Sequence, residues 1–325
     1  MRAVIPVAGI GSRLKPHTNT IPKVLLTVGD KPILGHIIQK LVNQGITSFT
    51  FITGYFEDKI KEYILANFKN IDPIFVNQGE LKGLGHAIHC AADTFKEDKI
   101  LIILGDTIFD VDLSKIINSK DNYLGLRQVD DPSRFGIAII ENGEIKKLIE
   151  KPSEPVSNTA IVGIYFFSDV SELKLALNKI IDENITTKGE YQLTDAMQIM
   201  LESGVAIKPF MVDGWYDCGK PETLLETNQF VLKDKNEFEE RESVVIIPPV
   251  FIDPSAEISN SVIGPFATIA AGVKVRDSII RNSIIGQNSE VAKCNFEDSL
   301  IGPNSILTGK FSKINTGDSS VIDFN

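Results

Sequence analysis

The first third of the chain alternates short, wholly apolar runs with stretches whose apolar residues recur at helical spacing. Ala3 to Val7 is an apolar run bounded by Gly9 and Gly11, and it predicts a buried strand entering a glycine loop. Ile33, Leu34, Ile37, Ile38, Leu41 and Val42 then fall on one face of a helix closed by Gly45. Ser48–Thr53, Pro73–Asn77 and Ile100–Leu104 read as strands, with helices over Phe56–Phe68 and Gly85–Phe95 between them. This β-α-β-α-β order predicts a parallel sheet with helices on both faces.

From Tyr123 the pattern changes. Residues 136–140 and 145–149 flank Asn142-Gly143, a two-residue hairpin signal. A strand over Ala160–Phe167, helices over about 169–183 and 192–202, and a strand over Ala206–Val212 follow. Together they predict a mixed sheet grafted onto the parallel half, walling the carboxyl ends of its strands, where ligands bind in such folds. A helix is expected from Pro221 to about Phe238. Beyond it, aliphatic residues recur at five- to six-residue steps or their multiples: Ile252, Ile258, Ile263, Ile269, Val275, Ile285, Val291, Ile301 and Leu307. Glycines follow Ile263, Ile285 and Ile301. Such a period marks a β-helix of about four or five coils, in which each aliphatic residue stacks on its counterpart one coil away. The boundary is expected near residue 241, giving domains over 1–240 and 241–325.

Composition narrows the function class. At 325 residues, two domains are expected, and 43% hydrophobic with 23% charged residues is ordinary for a soluble protein. A formal charge of −10 argues against general nucleic-acid binding. Cys90, Cys218 and Cys294 form no metal-ligand spacing or disulfide framework. No leader pattern or long apolar run appears, so a cytoplasmic protein with no membrane partner is expected.

Several strand ends carry candidate chemistry. The loop Ala8-Gly9-Ile10-Gly11-Ser12-Arg13-Leu14 lacks the third glycine of a dinucleotide fingerprint and the Gly-Lys-Ser/Thr of a P-loop. Its glycines let the backbone approach phosphate oxygens, and Arg13 and Lys23, on a loop stiffened by Pro16 and Pro22, suit a polyphosphate. A plain structural turn is the alternative. Asp106 ends the buried run Ile100–Gly105 and suits Mg²⁺ held with phosphates, although a lone Asp there also caps helices. Asp217, again followed closely by glycine, is a second candidate ligand. Glu150 and Lys151 reach one ligand only if the chain bends, and Pro152 offers a reason for it to do so; otherwise they form a surface ion pair.

Taken together, residues 1–235 resemble the sugar-phosphate nucleotidylyltransferase family, which includes glucose-1-phosphate thymidylyltransferases and bacterial UTP–glucose-1-phosphate uridylyltransferases. The Gly9-x-Gly11-Ser12-Arg13…Pro22-Lys23 stretch is similar to the family's signature loop, with Ser12 where Thr is usual. Leu104-Gly-Asp106 and Trp215-Tyr-Asp217-Cys-Gly look like its two Mg²⁺ aspartates. Phe135-Gly136, Glu150-Lys151-Pro152 and Val162-Gly163-Ile-Tyr165 look like its sugar-phosphate site. The resemblance implies a Rossmann-like mixed α/β sheet followed by a short left-handed parallel β-helix, and a homo-oligomer. It assigns Ala8, Gly9, Gly11, Ser12, Gln78 and Gly83 to the nucleotide. Gln78 would pair with a pyrimidine and Gly83 would offer backbone contacts. Gly136, Glu150, Gly163 and Glu190 go to the sugar, Glu190 with helix capping as its alternative. The runs Gly83-Leu-Gly-His86-Ala and Gly189-Glu-Tyr-Gln-Leu-Thr-Asp195-Ala resemble the uridylyltransferases more than the thymidylyltransferases.

The implied reaction is attack of a sugar 1-phosphate on the α-phosphorus of a nucleoside triphosphate, with Mg²⁺ as cofactor and pyrophosphate released. The nucleophile is already an anion, so Arg13, Lys23 and Lys151 act by position and charge. The segment after 241 contains no histidine, which argues for assembly or regulation rather than acyl transfer. The alternatives are a mannose-1-phosphate guanylyltransferase and a non-catalytic subunit that senses nucleotide sugars.

Overall fold

The computed structural model describes residues 1–96, 99–154 and 156–310. The first elements are β1 (Arg2–Pro6), α1 (Ile33–Asn43), β2 (Ser48–Thr53), α2 (Glu57–Asn67), β3 (Asp72–Asn77), α3 (Leu84–Cys90), β4 (Ile100–Ile103) and β5 (Thr107–Asp110). The next are β6 (Asn122–Gln128), β7 (Gly136–Glu141), β8 (Glu144–Glu150), β9 (Thr159–Phe167), α4 (Val170–Asp182) and α5 (Leu193–Glu202). β10 (Ile207–Met211), β11 (Gly214–Asp217) and α6 (Pro221–Leu232) follow before the coils.

β1, β2, β3 and β4 are mutually parallel in the order β4-β1-β2-β3. Their residues are nearly all apolar at the centre because both faces are covered, as Ala3, Val4, Ile5 and Ile100–Ile103 show. β9 joins antiparallel to β4 and continues the sheet through β7 and β8, with β6 and β10 branching from it. The expected mixed addition is therefore one continuous nine-stranded sheet with the parallel half. The hairpin between β7 and β8 turns on Asn142 and Gly143, both at positive φ, as a primed turn requires. β5 and β11 form a separate antiparallel pair.

Two helix expectations were too long. α3 ends at Cys90 and gives way to a single 3₁₀ turn over Ala92–Thr94. α6 ends at Leu232, where the apolar periodicity stops and Lys233-Asp234-Lys235 begins. The apolar stripe, not helix propensity, holds these helices, so each ends where its stripe does.

Contacts divide the chain into Met1–Thr27 with Lys31–Thr227, and Val28–Asp30 with Asn228 onward. The second unit holds three parallel sheets of four strands, which is a β-helix of four coils among the described residues. Three ladders fill its interior. Ile252, Ile269, Ile285 and Ile301 stack on one face, and Ile258, Val275, Val291 and Leu307 on another. The third ladder is Ile246, Ile263, Ile280 and Phe296. Non-glycine residues at positive φ, among them Asn260, Asp277, Asn288 and Asn304, turn its corners. Asn, unlike most side chains, tolerates that region.

Candidate active site

The loop after β1 is shaped around Lys23. Gly11 has φ 68°, and a Cβ there would lie 2.8 Å from Lys23 Cβ, so only glycine lets the loop fold this closely. Thr18 Oγ1 donates to Gly11 O at 2.8 Å and holds the turn. Leu14, fully buried, anchors a 3₁₀ turn that leaves Ser12 and Arg13 exposed beside Gly9, while Ala8 is buried under them. Lys23 itself is only 7% exposed, and its Nζ lies 2.5 Å from Asp106 Oδ2. A charge so far out of water needs a partner, and Asp106 supplies it.

Asp106 follows β4 and Gly105, where a Cβ would come within 2.8 Å of Pro6 O. Pairing of β11 with β5 sets Asp217 opposite Thr107, and Cys218 N donates to Asp106 O at 3.0 Å. The second aspartate is thereby brought to the first. Burial, then the charge of Asp106, push the Asp217 carboxyl above its ordinary range, against the opposing pull of Lys23, Arg13 and Arg134. A Cβ on Gly219 would lie 2.8 Å from Asp217 Oδ2 and 3.0 Å from Arg13 Nη2, so only a bare backbone leaves room for both groups there. Arg13, Asp106, Thr107, Arg134, Trp215 and Asp217 line a cleft of about 150 Å³.

The donors suit a hard divalent cation. Two carboxylates converge, one of them raised in pKa by burial and then by the other, and among the described residues no group of three or more His, Cys, Asp or Glu could cage a metal. Mg²⁺ characteristically binds one or two carboxylates and takes its remaining oxygens from phosphates and water.

A second cluster gathers Gly136, Glu150 and Lys151. Thr194 Oγ1 donates to Glu150 Oε2 at 2.7 Å, and a Cβ on Gly136 would crowd both atoms. The bend falls on Lys151 rather than on Pro152: Lys151 has φ 42° and donates its N–H to Phe135 O at 3.0 Å. That left-handed turn sets the two side chains on one side, with Lys151 Nζ 3.5 Å from Glu150 Oε1. The Glu150 side chain is only 10% exposed, so this is not a surface ion pair. Gly163 occupies an irregularity of β9 and packs against Leu104, just ahead of Gly105-Asp106, while neighbouring Val162 lines the cleft.

Gln78 and Gly83 form a third group beyond the carboxyl end of β3, where Gln78 Nε2 donates to Gly83 O at 3.2 Å. Glu190 adjoins Gly83, not the Glu150 cluster; it is exposed, and Gln192 Nε2 donates to its Oε2 at 3.0 Å. Sequence reasoning missed Arg134 and Thr194. Arg134 lies over the Phe135 ring at 5.8 Å, and that ring meets Trp215 edge-on at 5.4 Å. Its position directly before Phe135-Gly136 was the available signal, whereas Thr194 had none.

Carboxylates and cations gathered beyond the ends of β1 and β4 and on β11, with no histidine or cysteine lining the cleft, make a site suited to polyphosphate chemistry. The chain belongs to the nucleotidyl transferase family, whose model matches residues 2–234. It is 34% identical to the low-salt glycan biosynthesis nucleotidyltransferase Agl11 of Haloferax volcanii, over 93% of this chain and 92% of that one. A glucose-1-phosphate thymidylyltransferase of Streptomyces antibioticus is 30% identical over 95% of this chain and 89% of its own length. Among solved structures, a UDP-glucose pyrophosphorylase complexed with UDP-glucose matches with a TM-score of 0.63 and 25% identity, covering 71% of this chain and 98% of that one.

Proposed function

We propose that this nucleotidyltransferase joins UTP or dTTP to glucose 1-phosphate, forming a nucleotide sugar and releasing pyrophosphate. The observation that carries the reading is the convergence of Arg13, Asp106 and Asp217 on one cleft, with Lys23 paired to Asp106 behind it. Arg13 and Lys23 hold the β- and γ-phosphates and meet charge as it grows on the leaving pyrophosphate. Lys151 holds the attacking phosphate, and Glu150, fixed by Thr194, accepts from sugar hydroxyls. Asp106 and Asp217 are the carboxylates for Mg²⁺, which when bound offsets the negative charge of the phosphates. No proton need leave the nucleophile, in keeping with a cleft that offers no histidine base.

The same reading sets the enzyme in the cytoplasm, where the free Cys90, Cys218 and Cys294 stay reduced. It also has copies of the chain assemble through the β-helix, one face of which turns Val245 and Ile279 outward at 58% and 39% exposure.

The decisive assay is pyrophosphate release over a grid of nucleoside triphosphates and sugar 1-phosphates, with Mg²⁺ and with EDTA. Metal-dependent release with UTP or dTTP and glucose 1-phosphate is the expected outcome. Release only with GTP and mannose 1-phosphate would replace the substrates, and nucleotide binding without release from any pair would replace the reaction by a sensing role.

A further inference from the structure

The hydrogen bonds around Gln78 leave a single polar atom of its side chain for a ligand. The amide nitrogen Nε2 carries two hydrogens. One is directed at Gly83 O, 3.2 Å away, and the other at His86 Nδ1, 3.4 Å away. A carbonyl oxygen only accepts, so Gly83 fixes which end of the amide faces inward. That carbonyl is itself held in place. Gly83 has φ 107°, Gly85 N donates to Tyr191 O and Tyr191 N to Lys82 O, both at 2.8 Å.

His86 Nδ1 can take the second amide hydrogen only as a neutral ring protonated on Nε2. Cys90 Sγ lies 3.7 Å from that nitrogen and 3.9 Å from Nδ1, beside the ring rather than on either N–H axis, and the Cys90 thiol is placed to donate to Gln78 O at 4.0 Å. These surroundings favour the neutral forms of both groups. Burial, then Lys82 and His89, lower the His86 pKa, and burial raises that of the Cys90 thiol. Gln78 Oε1 has no donor among the described residues, and it stands at the carboxyl end of β3.

Resting on the reading above, in which Gln78 meets the base, we infer that His86 is a positioning residue for base choice. By taking the second Gln78 N–H, it leaves that side chain able only to accept toward the ligand. A base that offers a ring N–H, as uracil and thymine do, is then favoured over cytosine, which presents a lone pair at the same position.

The test compares wild type, His86→Ala and His86→Asn, whose side-chain oxygen can stand in for Nδ1, with UTP and CTP. In His86→Ala the ratio of kcat/KM for UTP over CTP falls about tenfold, the size of one hydrogen bond. The change is carried by the nucleotide KM, with the KM for sugar 1-phosphate unmoved. His86→Asn restores the ratio. A His86→Ala enzyme that keeps the wild-type ratio overturns the assignment, and so does a His86→Asn enzyme as unselective as His86→Ala, since packing would then be the cause. Should wild type release no pyrophosphate from any pair, the proposed reaction falls. Equilibrium binding of UTP and CTP to the same three proteins then decides the role of His86 separately.

Discussion

In the β-helix, Ile285 meets Ile269 on one side and Ile301 on the other, and the same choice repeats coil after coil. Around the cleft, Asp106 meets a lysine from the first loop and a second aspartate from the last strand pair, two neighbours of opposite charge. The ladder is self-consistent, because every contact favours the packing that the next one needs. The cleft is not, since a buried lysine, two adjacent carboxylates and an arginine are held where their charges partly oppose one another. A stable unit can be built of repeats, whereas a site for a polyanion has to hold charges that folding alone would not bring together.

The contrast breaks most visibly at Lys23. Lys23→Ala should lower kcat by roughly a thousandfold, the upper end for loss of one charge-stabilising group, with a much smaller change in the midpoint of urea unfolding. Steady-state rates beside an unfolding curve make the comparison. A variant that unfolds while its folded fraction keeps its kcat would make Lys23 a structural residue.

The opposite result is expected within the ladder. Ile285, fully buried, loses its contacts with two coils in Ile285→Ala, at a cost of about 2–4 kcal/mol. Urea unfolding measures that loss, and kcat/KM of the folded fraction should stay within about twofold of wild type. A fall in kcat as large as that of Lys23→Ala would mean that coils and cleft are not separable in function.

Legibility in the sequence follows the same division. Ser48–Thr53 has the predicted bounds, because a strand's signal lies in its own residues. Two of the three ladders followed the six-residue step. The third, through Ile280 and Phe296, was missed, although its coils pass from 17 to 16 residues just as those of the other two do. In the site, residues at strand ends beside glycine or proline were readable. Their convergence was not, since the meeting of Asp217 with Asp106 depends on the register of β5 and β11. A lysine gives no sign that it will adopt positive φ, so the bend at Lys151 was assigned to Pro152. Thr194 matters only through Glu150, from a helix packed on β8, and a lone threonine carries no spacing.

The smallest expected effect is the most direct measure of the opposition within the cleft. Burial and Asp106 raise the pKa of Asp217 above its unfolded value. Below the ordinary aspartate range the carboxyl is protonated in both states and contributes nothing to stability. Above its raised folded value it is charged in both states, and folding bears the cost of placing that charge beside Asp106. Asp217 therefore destabilises the fold at neutral pH, and the penalty fades as pH falls through the interval between the two values. Asp217→Asn removes the charge and keeps the size. Its apparent melting temperature should lie slightly above that of wild type at pH 7, the gap closing near pH 4, even as catalysis is lost. Added Mg²⁺ should narrow the gap at pH 7 by favouring wild type. An Asp217→Asn protein less stable than wild type at pH 7 would mean that Arg13 and Lys23 more than offset Asp106, and that the cleft holds its charges without opposition.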